Sequence, residues 1–296
     1  MFPIRNTFKV CRAVCRQQKR FLQEVKRSDF LKTVGLEFLK GSHLGIAVIN
    51  INKPETKNAL DNELVDNFLN AIDSVISDRD TRVVILRSLV PNVFCAGANL
   101  KERLKMSECD VYDFISKLQT FTTKLADVPV PVIAAIDGVA LGGGFEISLA
   151  CDLRIASQNV KLGLVETKLG IIPGAGGTQR LARLVGTSLA KELVFTGRII
   201  NSDTARGMSI VNHVVPQNEQ GNAAFCKAVQ VAEEILPNGP LAVRMAKIAI
   251  DMGSAVDIRT GCMIEERCYG RLVPTLDRRE GLMAFSEKRK PTYKGE

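Results

Sequence analysis

The chain has 296 residues, enough to bury a large core in one domain or in a domain with a small appendage. It contains no tryptophan and only three tyrosines, so it offers few aromatic platforms for stacking on single-stranded nucleic acid. The net charge is +8, but residues 1–32 alone hold nine Lys or Arg against two acids. The rest of the chain is nearly neutral, so a basic, phosphate-binding body is not indicated.

Residues 1–32 resemble a mitochondrial transit peptide. The segment has no acid before Glu24, its basic residues are spread among apolar ones, and it lacks the continuous apolar run of a secretory signal. We therefore predict a transit peptide that ends near residue 32 and a protein of the mitochondrial matrix. A basic tail without a targeting role is the alternative, and the sequence does not define a cleavage site.

The longest apolar stretch, residues 128–151, does not have the character of a membrane span. It contains Asp137, Glu146 and three successive glycines. An acid at the centre of a bilayer costs about 2.5–3.5 kcal/mol on insertion scales. We therefore expect no membrane association through this segment.

Cysteine and histidine give no sign of a metal site. The eight cysteines include no C-x-x-C pair. Cys11 and Cys15 lie in the leader, and the other six are predicted to be small core residues in a reducing compartment. His43 and His213 are the only histidines, and we place them in a turn and at a strand end. This supply is too small for a zinc site or a Ser-His-Asp triad, so no metal is predicted.

Strands and helices alternate through most of the chain after the leader. Strands are predicted at 31–39, 44–52, 82–88, 132–138 and 152–157, and helices at 62–77, 99–106, 110–126, 145–151 and from 178. This alternation predicts an α/β core. The pattern is helical almost throughout from Ala223 onward. We therefore predict a core at 33–222 and a helical C-terminal region at 223–296.

Three glycine-rich loops, FCAGANL, ALGGGFE and IIPGAGGTQ, each join a strand to a helix. Amides at a helix start lack intrahelical partners and attract negative charge, and glycine lets a ligand approach the backbone. Each loop alone could equally be a tight turn. The chain has no Gly-Lys dipeptide, no G-x-G-x-x-G and no G-x-S-x-G, so these loops indicate an anion other than a cradled polyphosphate.

Two glutamates occupy apolar surroundings. Glu146 follows the second glycine loop inside an otherwise apolar helix, and Glu166 lies among apolar residues twenty positions later. A buried glutamate must be paired, or its pKa rises. Either residue alone could form a buried ion pair or face solvent. Together, each beside a glycine loop, they favour acid–base catalysis.

These segments resemble the crotonase superfamily. The match rests on FCAGANLKE, ALGGGFE and, most specifically, GLVETKLGIIPGAGGTQRL, and it covers nearly everything after the leader. The resemblance implies an α/β spiral fold of repeated ββα units. It also implies C-terminal helices that form homotrimers, often paired into hexamers. The substrate would be an acyl-CoA thioester, with no cofactor beyond the coenzyme A of the substrate.

The resemblance also assigns roles within the site. The backbone amides of Ala98 and Gly143 would form an oxyanion hole for the thioester oxygen. Glu146 would act as the base on water and Glu166 would donate the proton to Cα, although the two could share these tasks. Glutamate at both positions favours a hydratase over the isomerases of the superfamily.

Substrate contacts are implied at both ends of coenzyme A. Phe285 and Lys288 would approach the nucleotide end, in the same or a neighbouring subunit. Two departures from the family pattern are an asparagine in place of the usual aspartate, which is still expected to cap its helix, and Phe145, which is expected to narrow the acyl pocket. The thioester end would contact Ala98, Asn99, Leu100 and Lys101.

Several functional alternatives stay open. Within the superfamily the segments are most similar to methylglutaconyl-CoA hydratases and to enoyl-CoA hydratase domain-containing proteins, which implies methylglutaconyl-CoA from leucine degradation. Straight-chain enoyl-CoA of fatty acid β-oxidation is the first alternative. AU-rich RNA is the second, but Arg79, Arg82 and Arg87 face two nearby aspartates, a poor balance for phosphate contacts. A catalytically silent paralogue is the third, and the two glutamates argue against it.

Overall fold

The computed structural model describes residues 33–296, so the predicted transit peptide lies outside the described residues. The strands of this part of the chain are β1 Val34–Phe38, β2 Ile46–Ile51, β3 Val83–Ser88, β4 Val93–Cys95, β5 Val132–Ile136, β6 Val139–Leu141, β7 Leu153–Ser157, β8 Lys161–Gly163, β9 Ile200–Asn201 and β10 His213–Val215. The α-helices are α1 Asn62–Ser77, α2 Leu100–Arg103, α3 Glu108–Ala126, α4 Gly143–Ala150, α5 Gly177–Val185, α6 Thr187–Thr196, α7 Ser202–Gly207, α8 Ala223–Ile235, α9 Pro240–Gly253, α10 Ile258–Leu272 and α11 Leu276–Ser286. Short 3-10 helices occur at Gly41–His43, Pro54–Thr56 and Glu166–Leu169.

The strands form two sheets. The larger has the order β1-β2-β3-β5-β7-β10 and is parallel except for the β1–β2 hairpin. The smaller has the order β4-β6-β8-β9 and is parallel except at β8–β9. From β3 to β8 each of three successive turns of the chain places one strand in the larger sheet, the next in the smaller sheet, and then a helix. This repetition confirms the predicted α/β spiral.

Helix α1 shows how the sequence sets these elements. Its apolar residues recur at helical spacing, and Leu64, Phe68 and Ile72 are buried on one face. Asp61 caps the helix by accepting a hydrogen bond from the Leu64 amide at 3.0 Å. Phe68 then packs against Phe121 of α3 with ring centroids 5.0 Å apart. The predicted bounds of this helix, 62–77, are those observed.

The smaller sheet was not predicted. Strands β4 and β6 overlap the first two predicted glycine-rich loops, β8 lies where no strand was predicted, and each is three residues long. Three residues are too few to show an alternating apolar pattern, so only pairing with neighbouring strands reveals them. Because β4 and β6 lead into the first two glycine loops and β8 leads into the segment that carries Glu166, pairing in the small sheet brings these segments together.

Helix α8 covers the outer face of the larger sheet, where Phe225, Ala228 and Val229 join a buried cluster with β2, β3, β5 and β7. Its start is held by Asp137, which accepts hydrogen bonds from the Ala224 and Phe225 amides at 2.9 and 3.1 Å. This contact accounts for the acid within the apolar stretch 128–151. The division predicted at residue 222 stays a prediction.

Helices α9, α10 and α11 bury little within the described chain. Large apolar side chains on or beside them are exposed: Ile250, Met252, Val256, Ile258, Met263, Tyr269, Val273, Leu276, Leu282, Met283 and Phe285. Among residues 33–296, no helix combines the length and the apolar character that crossing a membrane requires.

Candidate active site

Glu146 lies in the first turn of α4, and its side chain is almost fully buried at 2% exposure. The helix starts at Gly143, two residues earlier than predicted, so Glu146 directly follows the glycine loop that begins the helix. Its neighbours on α4 are all buried, since the helix passes through the interior rather than along the surface. Glu146 is therefore a charged group held in the core by its own helix.

The third glycine loop binds this carboxylate. The Ala175 and Gly177 amides donate hydrogen bonds to the Oε1 atom of Glu146 at 2.8 and 2.7 Å. Gly177 opens α5, where amides lack intrahelical partners. At this loop the predicted anion is thus the carboxylate of Glu146, a side chain of the protein itself. The Oε2 atom of Glu146 is left for another partner.

The electrostatic surroundings of Glu146 oppose its ionisation. Its pKa is raised to about 7, chiefly by burial and also by the negative charge of Glu166. Hydrogen bonds from Gly177 and Ala175 and the positive charge of Arg180 act in the opposite direction. The result is a carboxyl group that changes its charge near neutral pH, which is the property of an acid–base catalyst.

Glu166 lies at the start of the 3-10 helix that follows β8, and it is also buried. Its Oε2 atom is shielded from solvent and has no hydrogen-bond partner among residues 33–296. Burial raises the pKa of this carboxyl group. A buried oxygen without a partner is costly for stability, so it indicates a position kept for a ligand.

Two consecutive glycines make room for the two carboxylates. A Cβ atom at Gly142 would lie 3.1 Å from the Oε1 atom of Glu166, and one at Gly143 would lie 4.0 Å from the Oε2 atom of Glu146. Gly142 also has a φ of +50°, a conformation that other residues seldom adopt. The structure therefore brings the two predicted glutamates together across the second glycine loop.

The first glycine loop is fixed by Leu60. The Leu60 amide donates to the Gly97 carbonyl at 2.7 Å, and the Asn99 amide donates to the Leu60 carbonyl at 2.9 Å. In such a parallel bridge the intervening residue, Ala98, turns its own amide away from Leu60. The two loops touch, because a Cβ atom at Gly97 would lie 3.7 Å from the Gly143 nitrogen.

The amides of Ala98 and Gly143 therefore belong to adjoining segments. Gly143 is the first residue of α4, so its amide has no partner within the helix. This arrangement supplies two donors beside the paired carboxylates. Their joint use as an oxyanion hole stays a prediction.

The remaining predicted substrate contacts lie in two separate parts of the fold. Asn99 caps α2 by accepting a hydrogen bond from the Glu102 amide at 3.4 Å, as expected. Leu100 and Lys101 follow it at the exposed start of that helix. Phe285 and Lys288, at the end of α11, are exposed, and no contact within the described chain links them to the glutamates. Their role at the nucleotide end of coenzyme A stays a prediction.

Two arginines near Glu146 were not singled out from the sequence. Arg180 of α5 hydrogen-bonds to Thr122 and to the Ala175 carbonyl, and Arg103 of α2 lies over the ring of Phe114. Arginine is common on helix surfaces, and nothing in the local pattern marks these two. Only the packing of α2, α3 and α5 around the site identifies them.

The arginines of the alternative RNA-binding segment are largely engaged in the fold. The guanidinium of Arg87 lies 3.8 Å from the ring centroid of Phe225, and Arg82 donates a hydrogen bond to the Asn238 carbonyl. Arg79 has no such contact and is exposed. The RNA alternative gains no support from this arrangement.

The histidines and cysteines were given no catalytic role from the sequence. His43 is in the turn between β1 and β2, where its Nδ1 atom is 3.0 Å from a carboxylate oxygen of Glu233, and His213 opens β10. Cys95 and Cys151 are buried, and burial raises the pKa of both thiols to about 12. These two cysteines are therefore inert core residues, as predicted. Cys109 and Cys262 are exposed on α3 and α10, so the prediction of core positions was wrong for them.

Fold and site define a hydro-lyase of the crotonase superfamily. The family model described as enoyl-CoA hydratase/isomerase matches residues 41–296. The chain belongs to the enoyl-CoA hydratase/isomerase family.

Curated relatives of two kinds are about equally similar. The chain is 50% identical to human mitochondrial methylglutaconyl-CoA hydratase over 276 residues, covering 93% of this chain and 80% of that protein. It is 51% identical to mouse mitochondrial enoyl-CoA hydratase domain-containing protein 2 over 262 residues, covering 88% of each. Among solved structures, an enoyl-CoA hydratase from Bacillus anthracis is 45% identical with a TM-score of 0.85, covering 90% of this chain and all of that one.

Proposed function

We propose that the chain adds water across the 2,3 double bond of a 2-enoyl-CoA thioester. The observation that carries the proposal is the pair of buried glutamates, one anchored by two amides and one with an unpartnered oxygen, beside the amides of Ala98 and Gly143. Burial raises the pKa of both acids, and free amides attract a developing negative charge. The chain needs no further group for this reaction than the coenzyme A carried by its substrate.

The anchoring of Glu146 suggests the order of events. With Oε1 held by the loop, Oε2 takes the proton of a water molecule whose oxygen bonds to C3. The electrons of the double bond move toward the thioester oxygen, which the amides of Ala98 and Gly143 stabilise as it becomes enolate-like. They return when C2 takes a proton from Glu166 on the same face, giving syn addition. Each amide would contribute about 3–4 kcal/mol to the transition state.

Methylglutaconyl-CoA is the proposed substrate, which would place the enzyme in leucine degradation. Support comes from the relatives named as methylglutaconyl-CoA hydratases at 50% identity. Relatives of the second kind are equally similar, so overall identity does not choose between them. Straight-chain enoyl-CoA of fatty acid β-oxidation is therefore the competing substrate. Comparing kcat/KM for methylglutaconyl-CoA and crotonyl-CoA separates the two.

The proposed chemistry is tested with Glu146→Gln and Glu166→Gln. Each substitution keeps the size of the side chain and removes the carboxylic acid. We expect each to lower kcat by about two to four orders of magnitude, while binding of a saturated acyl-CoA measured by calorimetry changes little. Near-normal turnover by either variant would overturn the role given to that residue.

We also propose that α9, α10 and α11 form the contacts of a homotrimer or a dimer of trimers. These helices expose more large apolar side chains than an isolated surface normally does. The mass in solution, measured by light scattering on a protein that starts after residue 32, tests the assembly. A monomer at micromolar concentration would contradict it.

The mitochondrial matrix is the proposed location. The human and mouse relatives described above are named as mitochondrial proteins, and residues 1–32 have the composition of a transit peptide. A fluorescent fusion of the whole chain should enter mitochondria, and one without residues 1–32 should not. Mass spectrometry of the imported protein would locate the mature N-terminus.

A further inference from the structure

Arg180 lies near the start of α5, and its half-buried side chain reaches back to the third glycine loop. Its Nη1 atom donates to the Ala175 carbonyl at 3.0 Å and to the Thr122 hydroxyl at 3.3 Å. Thr122 is buried on α3, and its hydroxyl donates to the same Ala175 carbonyl at 2.9 Å. One carbonyl of the loop is therefore held by two side chains that come from two different helices.

The peptide unit that carries this carbonyl lies between the two amides that anchor Glu146. One amide belongs to Ala175 and the other to Gly177. Because a peptide unit is planar, holding its carbonyl fixes its direction and limits how far the flanking amides can turn. Gly176, within this segment, has a φ of +93°, and a Cβ atom there would collide with the Arg180 guanidinium. The loop thus has the space that the guanidinium needs beside its backbone.

The positive charge of Arg180 has no partner at ion-pair distance. None of the ion pairs among residues 33–296 includes it, and the two acceptors of its Nη1 atom are neutral. Burial lowers the pKa of Arg180, and the negative charge of Glu146 is the first influence that raises it. A neutral amide side chain could donate the same hydrogen bonds without desolvating a charge. A cation at this position therefore indicates a role toward the nearby carboxylate.

The charged groups that act on Glu146 come from three elements of the described chain. Glu166, on the 3-10 helix after β8, opposes ionisation of Glu146, whereas Arg180 favours it. Arg103, on α2, is a second cation within electrostatic reach. The buried residues of α3, which also packs against α4, are all neutral. Of the two cations, Arg180 is the one whose hydrogen bonds hold the loop that anchors the carboxylate.

We propose that Arg180 is a positioning residue for the hydration, which acts by fixing the loop that anchors Glu146. With Thr122 it holds the Ala175 carbonyl, so that the amides on both sides stay directed at the Oε1 atom of the carboxylate. This inference rests on the proposed hydration. With Oε1 fixed, the Oε2 atom keeps a constant direction toward the attacking water. The guanidinium charge also favours the carboxylate form, which is the form that takes the proton.

The test measures kcat, KM and the pH dependence of kcat/KM for crotonyl-CoA in wild type and three variants. We expect Arg180→Met to lower kcat by about 10- to 100-fold and to change KM by less than about 3-fold. Its kcat/KM should rise at a higher pH than in wild type, because the positive charge is gone. Arg180→Lys keeps the charge but loses the planar donors, so its kcat should fall by about 10-fold while the rise returns toward the wild-type pH. Arg183→Met, at an exposed arginine of α5, is the matched control and should behave as wild type.

A purely structural role of Arg180 predicts a different result. It would lower the melting temperature of the variants but leave kcat and the pH of the rise unchanged in the folded enzyme. If Arg180→Met does not fold, as judged by circular dichroism, Thr122→Val takes its place, since it removes one of the two donors to the Ala175 carbonyl and keeps the charge. We expect Thr122→Val to lower kcat by about 3- to 10-fold. Wild-type kcat in both Thr122→Val and Arg180→Lys would overturn the proposal.

A measurement without turnover separates this inference from the proposed reaction. The ionisation of Glu146 is followed by the infrared carbonyl band of its protonated carboxyl group, which is identified by its absence in Glu146→Gln. If wild type hydrated neither crotonyl-CoA nor methylglutaconyl-CoA but Arg180→Met raised the midpoint of this titration, the hydration would be wrong and the role toward Glu146 would stand. If hydration were normal and Arg180→Met matched wild type in kcat and in this midpoint, the role given to Arg180 would be wrong.

Discussion

Gly177 donates its amide to the Oε1 atom of Glu146 at 2.7 Å, and a Cβ atom at Gly177 would lie only 2.8 Å from the same oxygen. One residue therefore supplies the hydrogen bond and also provides the space for the carboxylate that receives it. Any larger side chain at this position must displace either the carboxylate or the start of α5.

Gly177→Ala is expected to lower kcat by about 10- to 100-fold. The added methyl group displaces Oε1, so Glu146 loses both the amide bond and its alignment toward water, and positioning errors of this kind are costly in catalysis. Steady-state kinetics with crotonyl-CoA measures the effect. Gly207→Ala is the control, because a Cβ atom there meets nothing within 4 Å and the residue is exposed. Equal kcat in the two variants would show that the anchor is unimportant.

The pH dependence of kcat/KM should report the ionisation of Glu146. With its pKa at about 7, Glu146 is increasingly the required base as pH rises, so activity should climb through neutrality. Activity should fall again at the higher pH where Glu166, the proton donor, ionises. The charge of Glu166 is one cause of that raised pKa. In Glu166→Gln the pKa of Glu146 should therefore be lower, and the residual activity should rise at a lower pH than in wild type. A flat profile for wild type between about pH 5 and pH 9 would contradict this assignment.

Glu146→Gln should make the protein more stable at alkaline pH. The folded-state pKa is about 7 against an ordinary value of 4.5, so folding favours the protonated acid. Ionisation of Glu146 therefore lowers the free energy of unfolding of the wild type. This loss grows from about pH 4.5 to about pH 7, reaches at most about 3 kcal/mol, and stays constant at higher pH. Urea unfolding at about pH 8 and pH 4.5 measures the difference. A gain that is the same at both pH values would disprove the linkage.

Helices and strands that are long enough to show a repeated apolar pattern could be predicted from the sequence. Helix α1 and strands β2, β3 and β5 have apolar residues over five or more positions, and their predicted bounds lie within two residues of those observed. Strands β4, β6 and β8 could not be predicted, because three residues carry no period. These strands depend on pairing between segments that are distant in sequence.

The same distinction applies to the site. Glu146 and Glu166 could be singled out because an acidic residue is unusual in an apolar segment, and this is visible in the sequence alone. The anchor of Glu146 could not, since it consists of the backbone amides of Ala175 and Gly177, and a backbone amide leaves no mark in the sequence. Arg103 escaped notice for a related reason, because an arginine on a helix becomes unusual only when packing buries its Nε atom without a partner.

Asn58 connects the chain before α1 to the strands that carry the first glycine loop. The residue is fully buried, and its Nδ2 atom donates to the Ser88 hydroxyl at 2.8 Å and to the Phe94 carbonyl at 2.9 Å. Its Oδ1 atom accepts from the Lys53 amide at 2.7 Å. Its φ of 56° is in the left-handed region, which asparagine tolerates better than most residues. Leu60, two residues later, then reaches the bridge beside Ala98.

Asn58→Ala is therefore expected to reduce the free energy of unfolding by about 2–4 kcal/mol, since it removes three buried hydrogen bonds and strains the backbone. Any folded variant should also lose activity, because the Leu60 bridge that directs the Ala98 amide is displaced. Urea unfolding and crotonyl-CoA kinetics measure the two effects. Asn70→Ala, at an exposed position of α1, should change stability by less than about 0.5 kcal/mol. A similarly small change at Asn58 would mean that the bridge is positioned by Leu60 alone.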